Sequence, residues 1–221
     1  MSEYILKKDI TTYTYPPHMK RPEGFFGSNF FEKWIPLWQT HLGHLMGKPR
    51  VIGIEIGSLH GDCTVFCADQ IVNGPESMHF TIDINDNEYL QNNLAPYIGK
   101  NVRFLQGKSY DILRTTFEEE RADYVYIDGS HLAIDVLSDA VLSWSLLKVG
   151  GVLIFDDYGW GVHTTDEKQK PKLAIDAFLS AYVGHYELIE KGWQVFLKKL
   201  AYTYSEEELK ANYQKQVMSK S

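Results

Sequence analysis

The sequence predicts an α/β protein: a doubly wound, seven-stranded sheet, mostly parallel, that closes in an antiparallel C-terminal hairpin. Three observations carry this reading. Five short β-rich runs recur along the chain, each separated from the next by a stretch long enough for a helix. The fifth run, Val152 to Phe155, is continuously apolar, the pattern of a strand buried on both faces. After it the alternation breaks, and two further runs are joined by a turn too short for a crossover.

Residues 1–49 read as an arm and a helix. "TYTYPPHMKRPEGFFGS", with its prolines, aromatics and glycines, is a loop that either covers a ligand or is a plain N-terminal arm. "NFFEKWIPLWQTHL" (29–42) spaces apolar residues as a helix does and packs beside the sheet or over its edge. The five strand runs are "RVIGIEI" (50–56), "HFTIDI" (79–84), "VRFLQG" (102–107), "ADYVYID" (122–128) and "GGVLIFDD" (150–157). Their alternation with helices implies right-handed crossovers between parallel strands. "PKLAIDAFLSAYV" opens a helix with Pro171 at its first position, and "HYELIEKGWQVFLKK" folds as a hairpin around Lys191 and Gly192. The tail "YSEEELKANYQKQVMSKS" reads as a polar helix capped by Ser205, with Glu208 three positions on. These pieces make one domain over 1–221, with its core at 50–199 and a helical tail at 200–221.

Composition narrows the function. A hydrophobic share of 44% and a charged share of 23% are ordinary for a globular chain, and no run approaches the ~18 apolar residues of a membrane span. A formal net charge of −7 argues against a nucleic-acid partner, and the basic cluster "KQKPK" (168–172) reads as a solvated loop. The N-terminus has neither the order of a signal peptide nor the acid-poor bias of a transit peptide, so a cytoplasmic location is expected. Cys63 and Cys67, four apart, fall on one helix face as small core residues. A homo-oligomer is compatible with all of this.

The chemistry concentrates where the strand runs end. The first passes into "EIGSLHG", with Glu55, Gly57, Ser58 and Gly61 at its turn. Glycines there let the backbone approach a ligand and turn sharply into the next helix. A carboxylate two residues before the first glycine repels a pyrophosphate and suits the ammonium of an amino-acid moiety, which favours S-adenosylmethionine over NAD. The second run ends in "TIDIND", placing Asp83 where an acid accepts both ribose hydroxyls, with Asp86 as the expected helix cap. The third ends in "QGKSYDIL", where Ser109 and Tyr110 border an adenine ring, or Ser109 caps the helix.

The succession "EIGSLHG", "TIDIND", "QGKSYDIL", "YVYIDGSH" and "LLKVGGVLIFDDYGW", closing on "PKLAIDAFL" and "GWQVFLKK", resembles the class I S-adenosylmethionine-dependent methyltransferases. Within them it looks most like the small-molecule O-methyltransferase branch of macrocin and other sugar methyltransferases, and the cephalosporin-biosynthesis methyltransferase-like proteins. The resemblance covers roughly residues 50–199 and is most specific in the fourth and fifth motifs. It implies a Rossmann-like fold, S-adenosylmethionine as methyl donor, and a small-molecule hydroxyl acceptor, a sugar before a catechol-like phenol. One position departs: Leu59 stands where many members have a further glycine.

Asp128 ends the fourth run and Asp156 with Asp157 the fifth, so three carboxylates converge on one sheet edge. Three oxygen donors suit a hard divalent cation, Mg²⁺ or Mn²⁺, and catechol-type methyltransferases are similar in holding Mg²⁺ at these strand ends. The alternative is that Asp156 or Asp157 caps the following loop with no ion present. Asp128 counts with the cofactor-binding residues and with the reacting centre. His131 completes D-x-x-H with it, and an imidazole titrating near neutrality suits removal of the acceptor's proton, as the similar sugar methyltransferases imply. His60 and His163 read as loop residues, while Tyr158 and Trp160 wall a substrate or pack over the sheet edge. The rival readings are a non-catalytic cofactor-binding scaffold of the same fold and an NAD-dependent oxidoreductase, the latter disfavoured by Glu55 and the terminal hairpin.

Overall fold

The computed structural model describes residues 12–23 and 31–201; the tail helix expected from Ser205 lies outside them. Seven strands form one sheet: β1 (Ile52–Ile56), β2 (Met78–Asp83), β3 (Val102–Gln106), β4 (Ala122–Ile127), β5 (Leu147–Phe155), β6 (Tyr186–Lys191) and β7 (Val195–Lys199). Their order is β3-β2-β1-β4-β5-β7-β6. The first five pair in parallel, and β7 runs antiparallel to both β5 and β6, so the hairpin supplies the one reversed strand. The helices are α1 (Ile35–Leu42), α2 (Asp62–Phe66), α3 (Glu88–Leu94), α4 (Ser109–Thr115), α5 (Ala133–Leu146) and α6 (Pro171–Ala181). After β1 the chain builds outward to β3 and then returns to place β4 on the other side of β1. A crevice at the carboxyl ends of β1 and β4 follows from that reversal.

The period of two along each strand divides the core between two faces. Tyr124 and Tyr126 of β4 point to one face, where Val152, Ile154 and Phe196 meet Trp38 and Leu42 of α1 and Phe66 of α2. Val125 and Ile127 point to the other, where Leu153, Phe155 and Leu197 pack on Val136, Ala140 and Trp144 of α5 and Ile175 and Phe178 of α6. Burial on both sides is why β5 reads as an unbroken apolar run. Trp38 is fully buried and meets the Tyr126 ring edge-on, 4.9 Å between centroids, so α1 lies on the sheet face. Truncating such a side chain typically costs about 3–5 kcal/mol.

Local detail corrects one expectation. The cap of α3 is Asn87, not Asp86, because the helix starts at Glu88; Asn87 accepts the amide of Leu90 at 2.9 Å and donates to the Leu59 carbonyl at 2.7 Å. The thiols of Cys63 and Cys67 lie 3.9 Å apart, buried core residues in hydrogen-bond contact with no disulfide between them. Residues 12–23 run along α2 and α3 without helix or strand. Arg21 pairs with Asp62, the Tyr15 hydroxyl donates to the Asp62 carbonyl at 3.0 Å, and Lys20 and Asn93 exchange two bonds of 2.8 Å. Among the described residues no helix is long and apolar enough to cross a membrane.

Candidate active site

The turn after β1 is fixed by what fits beside it. Gly57 has φ +94°, and a Cβ there would lie 2.0 Å from the carbonyl oxygen of Asp128, so no other residue fits without moving β4 away from β1. Leu59 takes φ +48°. The chain thus follows through a leucine the left-handed path that glycine takes freely, at a cost of roughly 1–2 kcal/mol. Asp83 holds this path open: its Oδ2 accepts the amides of Ser58 and Leu59 at 2.9 and 3.1 Å, and its Oδ1 accepts that of Asn85 at 2.8 Å. Ser58 is buried, its hydroxyl 2.5 Å from that of Thr81, and Gly61 at φ +86° starts α2.

Around this turn a pocket brings together Glu55, Gly57, Ser58, Asp128 and Asp156, with Tyr126, Phe31 and Trp34 completing its wall. Ser109 and Tyr110 do not line it. Tyr110 is half-exposed with the Arg114 guanidinium 5.0 Å over its ring, and Ser109 bonds the buried Asp139. Nor does Ser109 cap α4, whose N-cap is Lys108 with no side-chain bond.

The doubled aspartate splits in two directions. Asp156 points inward and is buried; its Oδ2 accepts from the Tyr126 hydroxyl and from Gln194 at 2.8 Å, and its Oδ1 from the Asp157 amide at 2.6 Å. The same Tyr126 hydroxyl lies 2.9 Å from Oδ2 of Asp128. Asp157, at φ +59°, turns its carboxylate the other way, to His131 Nε2 at 2.7 Å and the Trp193 indole at 3.2 Å. Burial, then the neighbouring carboxylates, push Asp128 well above the usual carboxylate range and Asp156 upward as well. Burial and those two acids also raise the Tyr126 hydroxyl, which stays protonated and serves as their shared donor. The ring of His131 lies 4.4 Å from that of Trp160, centroid to centroid, with the two planes tilted by 34°. Among the described residues no group of three or more His, Cys, Asp or Glu is arranged to hold a metal ion.

Several partners here are absent from the sequence-based set. Tyr126, Gln194 and Trp193 bond the carboxylates, and Trp38 donates to Gln194 at 3.0 Å. Glu55 is fully buried against Thr64 and His79. A signal existed for these last: His79 and Thr81 are polar residues at alternate positions of an otherwise apolar strand, and register places Thr81 opposite Glu55. His163 is an exposed loop residue, and the hydroxyl of Tyr158 donates to Asp176 at 2.8 Å.

The family model of a methyltransferase domain matches residues 54–158. No curated protein matches the chain in sequence. Among solved structures, the methyltransferase MycE from the mycinamycin biosynthetic pathway, in complex with Mg and SAH, aligns with a TM-score of 0.59 at 17% identity, over 84% of this chain and 57% of that one. A second MycE complex, with Mg, SAH and mycinamycin VI, aligns at 0.59 and 18%, over 80% of this chain and 54% of that one. The chain thus spans little more than half the length of MycE. A Staphylococcus aureus protein provisionally named a caffeoyl-CoA O-methyltransferase aligns at 0.53 and 18% identity, over 68% of this chain and 76% of that one. Residues 54–158 thus match a methyltransferase-domain model, and in sheet order and glycine turn the chain has the Rossmann-like fold of the methyltransferase structures it aligns with.

Proposed function

We propose that the chain is an S-adenosylmethionine-dependent O-methyltransferase acting on a hydroxyl of a small molecule, with a sugar as the preferred acceptor. One observation carries this reading: at the carboxyl edge of β1, β4 and β5 a glycine turn lined by Glu55 and Asp128 adjoins a His131–Asp157 pair 2.7 Å apart. In this reading the cofactor lies over the turn, with Glu55 facing its ammonium group and Asp83 its ribose. The acceptor oxygen attacks the methyl carbon in line, the carbon–sulfur bond breaks to leave S-adenosylhomocysteine, and the hydroxyl proton passes to His131. Asp157 orients the imidazole, and Trp160 fixes its plane. MycE, with SAH and a mycinamycin in its complex, supports the donor and a small-molecule acceptor by likeness of fold.

Divalent-metal assistance belongs to the same proposal. Asp128, Asp156 and Asp157 are hard oxygen donors of the kind Mg²⁺ or Mn²⁺ takes, and the burial and mutual repulsion that raise Asp128 and Asp156 are what a cation offsets. Asp157 would have to turn from His131 to join them. A bound ion would supply Lewis-acid polarisation of the acceptor hydroxyl. Transfer of labelled methyl from S-adenosylmethionine to a panel of sugars and phenols, with and without Mg²⁺ or Mn²⁺, tests the whole reading. Cofactor binding with no transfer to any hydroxyl would favour the scaffold reading instead.

A further inference from the structure

We propose that His79 is a positioning residue for the cofactor: it holds Glu55 in the orientation that receives the ammonium group of S-adenosylmethionine. The inference rests on the cofactor reading above and adds to it a residue outside the pocket.

Register builds the arrangement. On β1, Gly53 lies between His79 of β2 and Tyr124 of β4, and Glu55 lies between Thr81 and Tyr126. Because Gly53 has no side chain, the Tyr124 ring crosses β1 at that point; a Cβ on Gly53 would sit 2.1 Å from the ring. The Tyr124 hydroxyl thereby reaches Nδ1 of His79 at 2.7 Å, and Nε2 of His79 reaches Oε2 of Glu55 at 2.8 Å. Thr64 donates to the same Oε2 at 2.6 Å. His79, Thr64 and Tyr124 are all at 0% exposure.

The distances fit a tautomer with its proton on Nε2. In that tautomer the Nε2 proton donates to Glu55 and Nδ1 accepts from the Tyr124 hydroxyl; in either protonation state Nε2–H is the donor that holds Glu55. Both donors to Glu55 fall on Oε2, which leaves Oε1 for the pocket that this residue lines. Stability alone does not call for such a group, because apolar residues of the same volume pack as well as a buried polar cluster, or better. A carboxylate fixed at the wall of the cofactor pocket is a group placed for a ligand, and its cationic partner is the amine of the methionine moiety.

The test compares two nucleosides by calorimetry: S-adenosylhomocysteine, and 5′-methylthioadenosine, which lacks the amino-acid moiety. Thermal unfolding establishes that each variant is folded. In His79→Leu, affinity for S-adenosylhomocysteine should fall about tenfold or more, while that for methylthioadenosine changes by less than about twofold. His79→Gln, which can keep an N–H donor toward Glu55, should recover most of the loss. Thr64→Val removes the second donor and should show the same selectivity, so the pair His79→Gln and Thr64→Val carries the test if His79→Leu does not fold. Equal loss of both nucleosides, or unchanged S-adenosylhomocysteine binding in folded His79→Leu and Thr64→Val, overturns the role of His79. Wild-type protein that binds neither nucleoside overturns instead the cofactor reading beneath it.

Discussion

Nε2 of His131 lies 2.7 Å from Oδ2 of Asp157, and Asp157 reaches it only because its backbone is left-handed, at φ +59°. That turn separates two adjacent buried carboxylates, one bonded by Tyr126 and Gln194 and one facing the imidazole. Replacing His131 by alanine should lower turnover by about 10²–10⁴, the usual contribution of a positioned proton acceptor, with S-adenosylhomocysteine affinity nearly intact. Single-turnover methyl transfer and calorimetry on the same variant check both halves. Near-wild-type chemistry would return His131 to the role of a loop residue packed against Trp160.

The buried acids predict a pH-dependent gain in stability. Burial first, then Asp156 and Asp157, hold the folded pKa of Asp128 well above its unfolded value. The folded state therefore binds the proton more tightly, and the stability that this contributes is full at low pH and falls as pH rises through the folded value. Asp128→Asn, which carries no charge at any pH, should accordingly be more stable than wild type at neutral pH in chelator, and close to it in acid. If a divalent ion holds the site, chelator should also abolish methyl transfer, Mg²⁺ or Mn²⁺ should restore it, and Asp128→Asn should respond to neither. Full activity in chelator excludes the metal and leaves the acids bonded to Tyr126, Gln194 and His131.

The sheet was legible because its signal is repetitive: five β-rich runs separated by helix-length stretches, and a hairpin whose turn at Lys191 and Gly192 admits no crossover. That Glu55, Asp128 and Asp156 meet around one pocket was legible for the same reason, since their positions follow from where β1, β4 and β5 stop. What the sequence hides is direction and distant pairing. Nothing local says that Asp157 turns to His131 and Trp193 while Asp156 turns to Tyr126 and Gln194. Nor does it say that Gln194, 38 positions on, bonds Asp156, because that contact depends on β7 folding back antiparallel to β5. Ser109 and Tyr110, read as bordering an adenine ring, open α4 and are not among the residues that line this pocket.

The glycine turn predicts opposite outcomes at two nearby positions. Gly57→Ala places a methyl group 2.0 Å from the Asp128 carbonyl oxygen, against backbone that cannot yield, and should cost roughly 3 kcal/mol or more and with it cofactor binding. Leu59→Gly removes a left-handed leucine that is half-exposed and should change stability by less than about 1 kcal/mol, strain relief being offset by a freer unfolded chain. Urea unfolding of both variants is the check. A mild Gly57→Ala would mean that β1 and β4 part more easily than their contact suggests.

Asp139 offers a test of the packing between α4 and α5 that is independent of any ligand. It is buried on α5, bonded by Ser109, and burial, opposed by that bond, raises its pKa from 3.8 to about 6. A raised carboxylate keeps its proton in the folded state and loses it in the unfolded chain at lower pH. Its contribution to stability is therefore full below about pH 4 and declines as pH rises through about 6. A shift of this size corresponds to an upper bound of about 3 kcal/mol. Asparagine keeps the shape and an acceptor for Ser109 but has no proton to lose. Asp139→Asn should therefore match wild type near about pH 4 and exceed it by about 1–3 kcal/mol above about pH 7. Urea titrations of the two proteins across that range read the difference directly. A constant gap at every pH would show that the Asp139 carboxyl ionises in the fold as readily as in the unfolded chain, and that α4 and α5 do not enclose it.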